Sequence, residues 1–150
     1  MRYFTRFLIL TLSTLFFASH GAEQANPAPK VLFVLTGHTQ LGDTGKQTGY
    51  FLSEVTHPPH VLHQAGYQID FLSPQGGAVQ MDPKSRDLKD PVNTAFLQDA
   101  GYMAQLAKTL APGDVKAGDY QAIFFAGGHG AMWDFPASAA LASLTAAIYE

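Results

Sequence analysis

The stretch that decides the fold is Tyr120 to Asp134, YQAIFFAGGHGAMWD, in which an apolar run enters a glycine-rich turn that carries one histidine. An apolar run that stops abruptly at Gly127 is typical of a buried parallel strand ending at the carboxyl edge of its sheet. Open α/β folds place their ligands at that edge. The pattern therefore predicts a functional site near residues 127–130.

Two further strands are predicted upstream of this stretch. Val31 to Leu35, VLFVL, is a continuous apolar run and predicts a first strand buried on both faces. Tyr67 to Leu72 alternates and predicts a second strand. Between them, Thr36 to Gly49 forms a glycine-containing loop, which we expect to lie over the same sheet edge as Gly127. A strand, loop, helix and strand in this order predict a right-handed parallel crossover.

The helices are predicted from caps and breakers. Thr56 is a plausible cap for a helix with prolines in its first turn, running to about Ala65. Asn93 is a plausible cap for a second helix, which breaks near Gly101 and resumes over 102–110. An Ala- and Leu-rich helix is predicted over 137–149.

These elements predict an α/β fold, a doubly wound parallel sheet with helices on both faces. Only three strands are predicted, so the sheet is interpreted as incomplete after strand three and its helix. The third strand would then expose an unpaired edge. Either more chain or another subunit is expected to cover that edge.

The N-terminal residues have the layout of a secretory signal peptide over residues 1–22. Arg2 and Arg6 precede an apolar run from Phe7 to about Ala18. A run of roughly a dozen residues is too short to cross a bilayer of about 30 Å as a helix. Cleavage is expected after Gly21 or Ala22, followed by a linker over 23–30 and one domain over 31–150. The expected localisation is periplasmic or secreted, without membrane attachment after cleavage.

Composition excludes several classes of function. The chain is 47% hydrophobic and 14% charged, as expected for a globular domain. Loss of Arg2 and Arg6 lowers the count of Lys and Arg from 9 to 7 against 12 acids, so the net charge moves from −3 to −5. This charge argues against a nucleic-acid surface. The sequence contains no cysteine, so these 150 residues form no disulfide and carry no thiol chemistry.

Glu54 stands alone as the only acid between Asp43 and Asp70. One interpretation is a solvated or capping carboxylate. The other is a pocket carboxylate that holds a proton for a neighbouring nucleophile. The spacing of the residues leaves both interpretations open.

Gly128 and His129 are the candidate residues in the glycine-rich turn. The histidine either decorates the turn or belongs to a site in which the backbone N–H groups of both residues form an oxyanion hole. The sequence around them is not GxGxxG, a Walker loop or GxSxG. Nucleotide binding and serine hydrolysis are therefore poorly supported.

Metal binding is a weaker interpretation. His57, His60 and His63 recur every three residues, and a helix would spread them around its axis rather than on one face. We expect exposed helix histidines and no metal. Three acids in the following segment lack calcium-loop spacing and favour a solvated turn: Asp82, Asp87 and Asp90.

Four segments together resemble one family: KVLFVLTGH, GYFLSEVTHPPHVLHQAGYQIDFLSPQGG, MDPKS and DYQAIFFAGGHGAMWDFP. They resemble the DJ-1/PfpI superfamily, the class I glutamine amidotransferase-like proteins, and most closely its Hsp31-like branch of glyoxalase III and chaperone proteins. The resemblance covers Lys30 to Glu150 and implies a flavodoxin-like arrangement of the sheet.

The resemblance implies roles for individual residues. Glu54 matches the family glutamate that hydrogen-bonds a nucleophilic cysteine, Gly128 matches an oxyanion-hole amide, and His129 matches the histidine of the branch's GGHG. A DPxS segment that we expect to be structural is matched by Asp82, Pro83 and Ser85. The family's cysteine, the histidine after it and a later acid follow the helix that here ends at Glu150, and they are absent from this sequence.

The implied function is a cofactor-independent conversion of methylglyoxal-type aldehydes to hydroxy acids, with a small aldehyde as partner and homodimers common among such proteins. Because the cysteine is missing, we expect the 150 residues alone to be inactive. Two alternatives stay open: a non-catalytic holdase-type chaperone and an unstable truncated gene product.

Overall fold

The computed structural model describes residues 27–150, so the predicted signal peptide and the first part of the predicted linker lie outside the described residues. Three parallel strands form one sheet in the order β2-β1-β3. They are β1 (Lys30–Val34), β2 (Gln68–Leu72) and β3 (Ala122–Phe125). The three predicted strands are confirmed, each with small shifts at its ends.

The central strand β1 is buried on both faces, as its unbroken apolar sequence predicts. Phe33 pairs with Phe71 of β2 on one side and with Phe124 of β3 on the other. Side chains alternate across a strand, and β1 therefore supplies two separate cores. Val31 and Phe33 pack in one core, and Leu32 and Val34 pack in the other.

Helices cover both faces of this sheet. The helices are α1 (Leu52–Gln64), α2 (Pro91–Gln98), α3 (Ala100–Ala107), α4 (Ala131–Asp134) and α5 (Ala139–Tyr149). Apolar residues of α1, α2 and α3 pack in one core, and Leu141 and Leu144 of α5 pack in the other. This arrangement confirms the doubly wound α/β fold. Among residues 27–150, none of the helices has both the length and the apolar character needed to cross a bilayer.

The predicted start of α1 is wrong, because the helix begins four residues before Thr56. The Leu52 N–H donates to the Ser85 hydroxyl, 3.0 Å away and 33 positions later in the chain. A cap supplied from so far along the sequence leaves no local signal at the helix start. Thr56 is instead buried and donates to the Asn93 side chain, and Pro58 lies inside the helix.

The predicted cap of α2 is also wrong, and the break predicted near Gly101 lies two residues earlier. Asp90, not Asn93, caps α2, because its carboxylate accepts from the N–H groups of Val92 and Asn93. The break lies at Asp99, which caps α3, and Gly101 sits inside that helix. Asn93 is buried because its side chain serves a tertiary contact.

The outer edge of β3 is unpaired within residues 27–150, since its one strand neighbour there is β1. Phe125 on this strand remains 38% exposed. The open edge predicted for the third strand is therefore present in the described part of the chain.

Candidate active site

The candidate site lies at the carboxyl ends of β1 and β3. The chain leaves β1 toward α1 on one face of the sheet and leaves β3 toward α5 on the other face. A crevice opens in doubly wound sheets where connections diverge in this way, and ligands bind there. The turn after β3, residues 127–130, lies at this end of the sheet, where such a crevice is expected.

Glu54 lies in the first turn of α1 and reaches this turn. Its Oε2 accepts a hydrogen bond from the Gly127 N–H at 2.5 Å, although the two residues are 73 positions apart. The Phe51 N–H donates to the Gly127 carbonyl at 2.8 Å, so the start of α1 is tied to the turn by backbone as well. Glu54 is exposed and is also hydrogen-bonded to the turn, so both interpretations of this carboxylate, solvated or part of a site, stay open.

Gly128 occupies a conformation that only glycine tolerates there. Its φ is +130°, and an added Cβ would lie 2.2 Å from the Gly49 carbonyl oxygen and 2.8 Å from the Phe51 nitrogen. Within residues 27–150, neither the Gly128 N–H nor the His129 N–H donates to a backbone or side-chain acceptor. Two N–H groups without an acceptor therefore follow directly after the Gly127 N–H, which donates to Glu54.

His129 is exposed, but a buried acid lies beside it. The Nδ1 atom of His129 is 3.8 Å from Oδ2 of Asp82. Asp82 also accepts from the Thr48 hydroxyl at 2.9 Å and from the Lys84 N–H at 2.8 Å. The prediction of a solvated turn for Asp82 is therefore wrong, because hydrogen-bond donors offset the cost of burying its carboxylate.

The segment Asp82–Ser85 contacts both α1 and the turn after β3. The Ser85 hydroxyl accepts from the Leu52 N–H at 3.0 Å and donates to the Asp82 carbonyl at 2.8 Å. Leu52 opens the helix turn that carries Glu54. The short segment thus contacts both sides of the crevice, through α1 and through His129.

Asp134 fixes the loop after β1, a role that the sequence does not predict. Its carboxylate accepts from the Thr36 hydroxyl at 2.9 Å and from the Gly37 N–H at 2.8 Å. The neighbouring Trp133 stacks on His38 with ring centroids 4.8 Å apart. The loop predicted over this sheet edge does lie there, but an acid 98 positions downstream carries no sequence signal of that contact.

Tyr50 lies directly behind the turn. Its Cα is 2.9 Å from where a Cβ on Gly128 would stand, and its side chain is almost wholly buried. Burial raises the pKa of the Tyr50 hydroxyl to about 12 because the charged form is desolvated.

The three helix histidines are exposed and, within residues 27–150, are not arranged to hold one metal ion. His57 pairs with Asp90 at 2.8 Å, and His60 contacts Gln64 on the same helix. Partial desolvation of Asp90 is outweighed by the hydrogen bonds from Asn93, His57 and Val92, which lower the pKa of its carboxyl. Within the described part of the chain, no group of three His, Asp or Glu side chains is arranged to hold a metal ion.

The arrangement combines one carboxylate with two unused amide donors at a crevice. Such a set can move a proton and stabilise an oxyanion. A covalent step would also need a nucleophile, and the 150 residues contain no cysteine.

Comparison with curated proteins finds several relatives, while no family model matches the chain. The chain is 34% identical over 126 residues to "Glutathione-independent glyoxalase HSP31" of Saccharomyces cerevisiae, covering 80% of this chain and 52% of that protein. It is 28% identical over 132 residues to "Glyoxalase 3" of Candida albicans, covering 81% and 53%. The chain therefore spans about half the length of the curated relatives it matches.

Solved structures show the same fold. The Francisella tularensis "Rapid Encystment Protein 24 KDa (REP24)" matches with a TM-score of 0.76 and 39% identity, over 81% of this chain and 54% of that one. The glyoxalase III of Candida albicans matches with a TM-score of 0.71 and 26% identity, over 81% and 52%. The sheet and helices described above are thus shared with proteins about twice as long.

Proposed function

The chain is a homologue of the Hsp31-like glyoxalase III proteins, which have the DJ-1/PfpI fold, and on that premise we propose that it forms the acid–base and oxyanion half of a cofactor-independent glyoxalase III-type site. The substrates would be 2-oxoaldehydes of the methylglyoxal type. The observation that carries the proposal is the contact between Glu54 and the Gly127 N–H, beside the unused amides of Gly128 and His129.

The proposed reaction needs a cysteine thiolate from outside these 150 residues. The sulfur adds to the aldehyde carbon C1, and the electron pair of the C=O bond moves to oxygen. The N–H groups of Gly128 and His129 stabilise this oxyanion. The oxyanion is then protonated to a hydroxyl, which gives the hemithioacetal.

Glu54 would act on the hemithioacetal as general base and then as general acid. Its carboxylate takes the proton from C1, and the electron pair moves through the new C1–C2 double bond onto the C2 oxygen to give an enediolate. Glu54 then returns that proton to C2, while the proton of the C1 hydroxyl passes to the C2 oxygen. C1 is thereby oxidised to a thioester while C2 is reduced to an alcohol, so no external oxidant is needed. Water cleaves the thioester and releases the hydroxy acid and the thiol.

The 150 residues alone should not carry out this reaction. Without a thiol, the carbon–sulfur bond of the hemithioacetal cannot form, and Glu54 has no activated proton to remove. We therefore expect no conversion of methylglyoxal to lactate by the purified chain. Measurable conversion would contradict the proposed chemistry.

A chimera provides the positive test. Residues 1–150 are joined after Glu150 to the half of the Saccharomyces cerevisiae relative that this chain does not match, and lactate formation from methylglyoxal is followed. We expect activity, and we expect Glu54→Gln to lower it about 100-fold or more, as for loss of a general acid–base group. The matched control is Asp119→Asn, which removes an exposed carboxylate just before β3, at the opposite end of the sheet. Equal activity of the chimera with and without Glu54→Gln would refute the role of Glu54.

One observation favours a second candidate function, a holdase-type chaperone. A groove of about 860 Å³ lies between the open edge of β3 and α5, and no charged residue lines it. Its lining includes Ile123, Phe125 and Phe135. Exposed apolar surface of this kind can bind unfolded chains.

The two functions are separated by their dependence on Glu54. A holdase acting through the groove should suppress aggregation of a heated client protein equally well with Glu54→Gln, and less well with Phe125→Ser. Met132→Ser is the matched control, because Met132 is 71% exposed and does not line the groove. Equal protection by the Phe125 and Met132 variants would rule out the groove.

A further inference from the structure

We propose that Asp82 is a positioning residue that acts through His129, by holding the imidazole with its single proton on Nδ1. This deepens the proposed function and rests on it, since His129 matters to the reaction only if the crevice binds the 2-oxoaldehyde. From the sequence, Asp82 is expected to be structural or solvated.

Asp82 is held firmly enough to orient a partner. Its side chain is almost completely buried, and it accepts from the Lys84 N–H through Oδ1 and from the Thr48 hydroxyl through Oδ2. Its own N–H donates to the Tyr50 carbonyl at 2.8 Å. These contacts fix the carboxylate, and a carboxylate oxygen has a second lone pair available. That oxygen, Oδ2, is the one nearest to His129.

His129 has little else to fix it. Its side chain is 65% exposed, and within residues 27–150 Asp82 is the one acid with an oxygen within 4.0 Å of its ring nitrogens. A neutral imidazole carries one proton, on Nδ1 or on Nε2, and the contact made by one nitrogen decides which. A negative charge 3.8 Å from Nδ1 favours the proton at Nδ1.

The consequence concerns the other ring nitrogen. With the proton on Nδ1, Nε2 keeps its lone pair. It can then accept a hydrogen bond from the hydroxyl that forms on C2 of the proposed substrate. The N–H groups of Gly128 and His129 would donate to the oxygen on C1, so the two oxygens of a 2-oxoaldehyde would be distinguished by an acceptor and by donors.

The test is the tautomer of His129, read from the ¹⁵N shifts of the two ring nitrogens in full-length chain labelled at histidine. The spectrum is recorded at about pH 9, where imidazole side chains are ordinarily neutral. The His129 signals are assigned by their loss in His129→Gln. We expect His129 to carry its proton mostly on Nδ1, and His63, which is exposed on α1, serves as internal reference. A His129 that carries its proton mostly on Nε2 would overturn the proposal without any further variant.

Two variants separate charge from packing. Asp82→Asn keeps the shape but removes the charge, and we expect the ratio of Nδ1–H to Nε2–H at His129 to reverse while His63 is unchanged. Thr48→Val disturbs the same buried hydrogen bond but keeps the carboxylate, and we expect His129 to keep its Nδ1 proton. An equal change in both variants would mean that Asp82 acts through packing alone, against the proposal. Because these spectra require no turnover, they fail independently of the chimera assay, which tests the proposed function.

Discussion

Glu54 and Gly127 are joined by a 2.5 Å hydrogen bond that spans 73 positions of the chain, and the missing side chain of Gly127 is what permits it. A Cβ built on Gly127 would lie 2.7 Å from Oε2 of Glu54 and 2.8 Å from Oε1. The carboxylate thus occupies the space that any other residue at 127 would fill.

Gly127→Ala should therefore displace the Glu54 carboxylate with little effect on folding. The atoms that the new methyl group meets are the far end of a flexible side chain, so we expect a loss of about 1 kcal/mol or less in the free energy of unfolding. In the chimera, the rate of lactate formation should fall about 100-fold, as expected when a general acid–base group is misplaced. Thermal melts and kcat/KM measure the two effects.

The control for Gly127→Ala is Gly118→Ala, since nothing lies within 4 Å of a Cβ built on Gly118. It should leave both the melting temperature and the rate close to those of the parent. A Gly127→Ala chimera as active as the Gly118 control would show that the position of Glu54 does not matter.

Gly128→Ala should behave in the opposite way and destabilise the fold itself. The added methyl group would meet backbone atoms of Gly49, Tyr50 and Phe51, which cannot move aside as a side chain can. The φ of +130° adds backbone strain for any residue with a Cβ. We expect a loss of about 2 to 4 kcal/mol in the free energy of unfolding. Denaturant titration beside Gly118→Ala checks this, and equal midpoints for the two variants would contradict it.

The sheet could be predicted from the sequence because burial of a strand leaves a local pattern. The run VLFVL is apolar without interruption, which is how a strand buried on both faces reads. The stretch before Gly127 reads in the same way, but the prediction that its strand is buried is wrong within residues 27–150, because one edge of β3 is unpaired there. The position of the site followed, since the strands end at glycine-bearing loops. The resemblance to the DJ-1/PfpI superfamily added Glu54, which spacing alone had left undecided.

The helix starts and the supporting contacts could not be predicted, because they depend on residues far apart in the chain. The Ser85 hydroxyl caps α1 from 33 positions away, so the local cap signal at Thr56 was misleading. The sequence predicts a solvated acid at Asp82 because the charge is visible in the sequence and the buried hydrogen-bond donors are not. Asp134 gave no signal at all.

Tyr50 predicts a loss of stability at alkaline pH. Burial raises its pKa to about 12 in the folded protein, against about 10 in an unfolded chain. A pKa raised by folding contributes stability that is complete below about pH 10 and is lost as the pH rises toward 12. The difference corresponds to about 3 kcal/mol at most.

Tyr50→Phe should remove this part of the alkaline loss. Tyr120 will still contribute, because its pKa is raised by burial and by the Asp70 carboxylate to which its hydroxyl donates. The measurement is the free energy of unfolding at pH 9 and pH 11.5, with Tyr149→Phe as the control, since Tyr149 is 92% exposed. An unchanged pH dependence in Tyr50→Phe would contradict the assignment.

Asp90 predicts a complementary loss of stability in acid. Its carboxylate caps α2 through the N–H groups of Val92 and Asn93 and pairs with His57, and these contacts hold the pKa of the carboxyl below its ordinary value despite partial desolvation. A pKa lowered by folding contributes stability that is present above the unfolded value, about 3.9, and is lost as the pH falls through the folded value. Asp90→Asn keeps a capping oxygen but cannot titrate, so its melting temperature should fall less steeply than that of the parent between pH 5 and pH 3. Asp119→Asn should follow the parent, because the Asp119 side chain is exposed and takes no part in capping α2.

Parallel acid profiles for the parent and Asp90→Asn would show that the carboxylate of Asp90 contributes nothing through its charge. The stability of α2 would then come from the packing of Phe96 in the core beneath it.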